Sequence, residues 1–147
     1  MENRMTLKIT AARGNESFAR STVAAFCVPL NPTVDELSDI KTAVSEAVTN
    51  SIVHGYVGSA GEIEIGVRIS GNSVHIEVKD EGVGIADIDE ARKPFFTTAA
   101  DEERSGMGFT VMESFMNVLE VVPNSPHGLI VRMRKDFTAS KKHTERD

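Results

Sequence analysis

Two stretches, EIEIGVRIS from Glu62 and SVHIEVKD from Ser73, alternate strictly between apolar and polar residues, and only Gly71 and Asn72 stand between them. A connection of two residues cannot cross a sheet, so the pair must fold back as an antiparallel hairpin. Period-two alternation puts Ile63, Ile65, Val67 and Ile69 on one face with Val74, Ile76 and Val78, and leaves the other face wetter. MTLKIT, with Met5, Leu7 and Ile9, and the C-terminal LIVRMRKDF alternate in the same way and extend the sheet.

Helical patterns supply its cover. Asn15 is placed to cap a helix in which Ala19, Val23 and Phe26 share a face and which stops before Pro29. The next helix opens on a capping box, Thr33 and Glu36 of TVDE, and runs for about six turns. Gly55 is expected in the left-handed position that ends it. TVMESFMNVL later sets Val111, Phe115 and Val118 at helical spacing. These elements predict an α+β fold: a two-layer α/β sandwich with a mostly antiparallel mixed sheet and helices on one face. A chain of 147 residues makes a single domain, expected over residues 1–137, with 138–147 a polar, frayed tail.

In SEAVTNSIVHGY, Glu46, Asn50 and His54 recur every fourth residue, so a regular helix stacks them on one face. The apolar face, Leu37, Ile40, Val44, Ala47, Val48 and Ser51, centres about 120° away, which sets the stripe at the border of the core. A polar pair at i,i+4 explains that placement, and so does a binding site; this helix alone does not separate them.

Several functions are excluded or disfavoured. Asp and Glu total 22 against 16 Lys and Arg, and the formal net charge of −6 opposes direct binding to nucleic acid. The single cysteine, Cys27, forms no internal disulfide and follows VAAF in an apolar pattern, so it reads as core rather than nucleophile. No apolar run approaches a membrane span, and the expected location is the cytoplasm, away from the membrane.

DEGVGI follows the second hairpin strand directly. Gly82 and Gly84 let backbone approach a flat ligand, and Asp80 can accept from an exocyclic amine. The dinucleotide fingerprint fails here, because Asp87 stands at its third glycine and the hairpin is not a parallel βαβ unit. A polar stretch about residues 86–105, containing Phe95 and Phe96, reads as a lid or a packed surface loop. RSGMGF then leads into a helix whose start can bind an anion, with Arg104 adding charge and Ser105, Gly106, Met107 and Gly108 bordering it, although a simple turn explains the stretch as well. Together these pieces can surround a magnesium nucleotide. Asn50 supplies one hard oxygen to Mg2+, and Glu46, one turn earlier, serves as base or water organiser near the terminal phosphate of ATP.

The pattern resembles the ATP-binding superfamily that joins DNA gyrase, heat-shock chaperone ATPases, histidine kinases and a mismatch-repair ATPase. EAVTNSIVHG looks like its N box, DEGVGI its first glycine box and SGMGF its second. NESFAR, TVDELSDIKTAVSEAVTN, ARKPFFTT and RSGMGFTVMESFM narrow the resemblance to the anti-sigma F factors of endospore-forming bacteria. The resemblance implies a Bergerat-type ATP-binding fold, Asn50 on magnesium, Glu46 as catalytic base and Asp80 on the adenine amine, with Gly82, Gly84, Gly106 and Gly108 bordering nucleotide. It also implies a homodimer that holds a sporulation sigma factor, sigma F, and phosphorylates a serine of an anti-anti-sigma antagonist protein. Many members carry a threonine after a glycine on the last strand; Leu129 and Ile130 follow Gly128 here, so no side-chain hydroxyl is expected there. His54 reads as a helix-end residue, and no separate phosphoacceptor helix of a complete histidine kinase fits in this length. Two other readings stay open: a non-catalytic module that nucleotide merely orders, and the sister kinase of the general stress response.

Overall fold

A computed structural model describes residues 2–56, 61–93 and 108–138. Its sheet has five strands, β1 (Glu2–Thr10), β2 (Glu62–Ser70), β3 (Ser73–Asp80), β4 (Val118–Pro123) and β5 (Leu129–Asp136), in the order β1-β2-β3-β5-β4. Every neighbouring pair is antiparallel, so among the described residues the α+β fold carries an antiparallel sheet rather than a mixed one. The hairpin turns where expected: Ser70 faces Ser73, and Gly71 takes φ +60° at the first turn position, a conformation that costs glycine little.

Helices α1 (Asn15–Cys27), α2 (Val34–Asn50) and α4 (Gly108–Phe115) cover one sheet face; α3 (Ile88–Ala91) is a single turn beside them. Register builds the core from the alternation. Val67 faces Ile76 and Ile76 faces Met133, while Ile65 faces Val78 and Val78 faces Val131, all of them buried. Each such side chain contributes about 2 kcal/mol when buried. Ile40, Ala43, Val44, Ala47 and Val48 of α2 close over these rows.

The start of α2 follows its sequence signal. Thr33 accepts from the Glu36 N–H at 3.0 Å, and Glu36 Oε1 accepts from the Thr33 N–H at 2.9 Å. The second oxygen of Glu36 accepts from the N–H of Thr138 at 2.9 Å, tying the end of the chain's last strand region to the helix. Burial pushes the Glu36 carboxyl up, but donors from Thr33 and Thr138 outweigh it and hold the group below its ordinary value.

Three local expectations are corrected. Asn15 does not cap α1: it is the first helical residue, after Gly14, and its side-chain amide donates to the Thr10 carbonyl at 2.8 Å. α4 ends at Phe115, and its buried residues are Phe109 and Met112, with Met116 just beyond, rather than the Val111, Phe115 and Val118 stripe. Both stripes satisfy helical spacing, so periodicity could not choose between them. Val118 instead opens β4, which Asn117 sets by donating its N–H to Arg134 at 2.8 Å and accepting from the Asp136 N–H at 2.9 Å.

Candidate functional site

α2 and β3 end at the same place. Asp80, the last residue of β3, and Ser51, the residue after Asn50, are each 2% exposed. A buried carboxylate requires donors, and among the described residues three donate to Asp80. The Ser51 hydroxyl donates to Oδ2 at 2.7 Å, while the N–H groups of Gly82 and Leu129 donate to Oδ1 at 3.0 and 3.2 Å. One donor comes from the helix, one from the loop after β3 and one from the start of β5.

Beyond Asn50 the helix widens. Ser51–Gly55 forms a π-helical turn, closed by the Tyr56 N–H on the Ser51 carbonyl at 3.1 Å. Glu46 and Asn50 lie on the regular part of α2, one turn apart, whereas His54 lies in the π-helical turn beyond it. Gly55 is corrected as well. It is not left-handed, since the glycines with positive φ among the described residues are Gly71, Gly84 and Gly128. It is needed for close approach: a Cβ on Gly55 would lie 3.1 Å from Asp80 Oδ2, and a Cβ on Gly82 would lie 2.0 Å from the Gly55 carbonyl oxygen. The Val83 N–H donates to that same carbonyl at 2.8 Å.

The glycine loop is also held from its flanks. The Tyr56 hydroxyl donates to the Glu62 carbonyl and accepts from the Glu81 N–H, both at 2.7 Å. Burial, with the charges of Asp80 and Glu81 beside it, pushes that phenol up and keeps its proton available to Glu62. From the β4–β5 connection, Asn124 donates its amide to the Asp80 carbonyl at 2.8 Å, and His127 Nδ1 lies 3.0 Å from the Gly82 carbonyl. A carbonyl only accepts, so the Nδ1–H tautomer makes that bond. Gly84, at φ +74°, abuts Gly128, whose carbonyl oxygen would lie 3.0 Å from an added Cβ.

The structure therefore brings Asp80, Gly82 and Gly84 together against the end of α2. Asn50, 6% exposed, closes that helix, and half-buried Glu46 lines a groove between α1 and α2 with Arg20, Lys41 and Ser45. Glu16 braces this groove, accepting from the Ser45 hydroxyl and, at 3.4 Å, from Arg20. Gly108 is the first residue of α4. Arg104, Ser105, Gly106 and Met107 lie outside the described residues, as do Phe95, Phe96 and most of the expected lid. The described beginning of that stretch holds α3, capped by Asp87, and Arg92 pairs with Glu113 of α4 at 3.0 Å. Cys27 is no nucleophile here: burial pushes its thiol up to about 12.

Sequence reasoning missed Ser51, Tyr56, Asn124 and His127. Ser51 falls on the apolar face of its helix, yet a hydroxyl at a core-facing helix position implies a buried partner, and that is the available signal. The other three bond across 25, 44 and 45 residues and leave no local trace. At Leu129 the absence of a hydroxyl stands, and its backbone N–H does the bonding.

Among the described residues, no three or more of His, Cys, Asp and Glu gather where they could hold a metal. None of the helices there is long and apolar enough to cross a membrane.

Comparison with known proteins matches residues 9–135 to the histidine kinase-like ATPase domain. The chain is 55% identical over 139 residues to the anti-sigma F factor of Thermoanaerobacter sp. (strain X514), covering 95% of this chain and 97% of that one. It is 54% identical over 142 residues to the anti-sigma F factor of Geobacillus thermodenitrificans (strain NG80-2), covering 96% and 97%. The crystal structure of the RsbU and RsbW domains of Rv1364c from Mycobacterium tuberculosis matches 92% of this chain with a TM-score of 0.65 at 15% identity. This chain spans 32% of that longer one, and at such identity the likeness concerns the fold alone.

Proposed function

The chain belongs to the histidine kinase-like ATPase domain family, and on that premise we propose that it is an anti-sigma factor with protein serine kinase activity. It holds a sporulation sigma factor, sigma F, and uses ATP with Mg2+ to phosphorylate a serine of its anti-anti-sigma antagonist. It works as a cytoplasmic homodimer within one ATP-binding domain, residues 1–137, and touches neither nucleic acid nor membrane.

The observation that carries this reading is the junction of α2 with β3, where Ser51 bonds Asp80 directly after Asn50. Residues for nucleotide and residues for chemistry thereby share one helix. Asp80 accepts from the exocyclic amine of adenine; Gly82 and Gly84 let backbone lie close to the base and sugar. Asn50 would hold magnesium through its amide oxygen, a hard donor that suits this ion without a carboxylate cluster, and the bound ion would supply charge neutralisation at the phosphates. Arg104, Ser105, Gly106, Met107 and Gly108 take the phosphates, and the lid about residues 86–105 closes over them. Glu46 takes the proton from the attacking serine hydroxyl as its oxygen bonds to the γ-phosphorus and ADP leaves. The groove beside Glu46 gives a protein segment access to that carboxylate.

The test offers the purified protein γ-labelled ATP, magnesium and the candidate antagonist, and maps the labelled residue. One phosphoserine is expected, and it should form only when ATP and magnesium are both present. An unlabelled antagonist, with nucleotide bound, would make the chain a passive nucleotide-dependent module.

A further inference from the structure

We propose that Ser51 is a specificity-determining residue of the base site, setting a preference for purines with an amine at C6 over those with a carbonyl. The inference rests on the nucleotide reading of Asp80 and goes beyond it. A carboxylate offers about four acceptor positions, two on each oxygen. Oδ1 of Asp80 receives the N–H groups of Gly82 and Leu129, so both its positions are filled. Among the described residues, Oδ2 receives the Ser51 hydroxyl, at 2.7 Å. The remaining acceptor position of the carboxylate therefore lies on the oxygen that Ser51 touches. A Cβ on residue 55 would stand over the face of this carboxylate, 3.1 Å from Oδ2 and 3.3 Å from Oδ1, a space that Gly55 leaves clear.

Ser51 has one proton and gives it to Asp80. Toward any other group its oxygen presents only lone pairs. A 6-amino group turns an N–H donor toward the adjacent acceptors, Oδ2 and the Ser51 oxygen. A 6-oxo group places a third acceptor against two acceptors, and a buried contact of that kind has no hydrogen to share. Ser51 thus acts twice, by fixing which position of Asp80 stays open and by extending the acceptor surface next to it.

The test measures magnesium-ATP and magnesium-ITP affinity by calorimetry for the full chain and for Ser51→Ala, Ser51→Cys and Ser51→Thr, with thermal unfolding of each. Wild type should prefer ATP. Ser51→Ala should narrow the ATP-to-ITP ratio by about tenfold, and Ser51→Cys, a weak donor of similar size, should narrow it less but measurably. Ser51→Thr keeps the hydroxyl and should hold the ratio within about twofold. Ser51→Cys and Ser51→Thr carry the comparison if the alanine variant unfolds. An unchanged ratio in a folded Ala or Cys variant, including equal weakening toward both nucleotides, would overturn the role of Ser51 and leave the site reading intact. A wild type that binds neither nucleotide, or both alike, would remove the base site itself.

Discussion

The two ends of α2 are built on different rules. At its start, Thr33 and Glu36 satisfy each other within four residues, and the capping box itself is local although the second oxygen of Glu36 also reaches Thr138. At its end, Ser51 bonds Asp80 and Gly55 packs on Gly82, contacts that cross 29 and 27 residues of chain. The first end makes the helix; the second makes it useful. A local cap is interchangeable with other caps, whereas the far end has room for only one arrangement of backbone.

The sharpest way to break that contrast is Gly82→Ala. Its Cβ would meet the Gly55 carbonyl at 2.0 Å, backbone against backbone, so neither side can yield by changing a rotamer. Urea unfolding should show a loss of about 3 kcal/mol, and nucleotide binding should vanish with it. Next in size, Asn50→Ala should weaken magnesium-ATP by about a hundredfold while ATP without metal binds almost as before, because only the metal ligand is gone. Equal losses with and without magnesium would take Asn50 off the metal. Asp80→Asn should lower ATP affinity by about tenfold and blur its preference over other bases, since the amide turns a donor toward the ligand's amine. Competition binding reads this out, and intact base selectivity would remove Asp80 from recognition. The smallest effect belongs to the other end: Thr33→Ala should cost about 1 kcal/mol of stability and leave nucleotide affinity unchanged. A drop in affinity there would mean that the two ends are coupled.

Legibility in the sequence divides along the same line. The strands of the central hairpin and the capping box were readable because period-two alternation and a Thr-x-x-Glu spacing are local signals whose partners lie nearby. Strand β4 was not, since Val121 alone among its residues is buried and its apolar residues continue the helical spacing of the preceding segment. Asp80, Gly82 and Asn50 were recognisable as motif positions. Ser51 and Gly55 were misassigned because the reason for each is a carboxylate some 25 to 29 residues away in sequence, which no window along one helix contains.

The central claim is that one helix divides binding from chemistry, with Asn50 serving the first and Glu46 the second. Single-turnover phosphate transfer from magnesium-ATP to the antagonist, measured for wild type and Glu46→Gln beside the nucleotide affinity of each, tests it most directly. The account predicts affinity within about twofold of wild type and transfer about a hundredfold slower, the scale of losing a general base. Transfer by Glu46→Gln at the wild-type rate would contradict it.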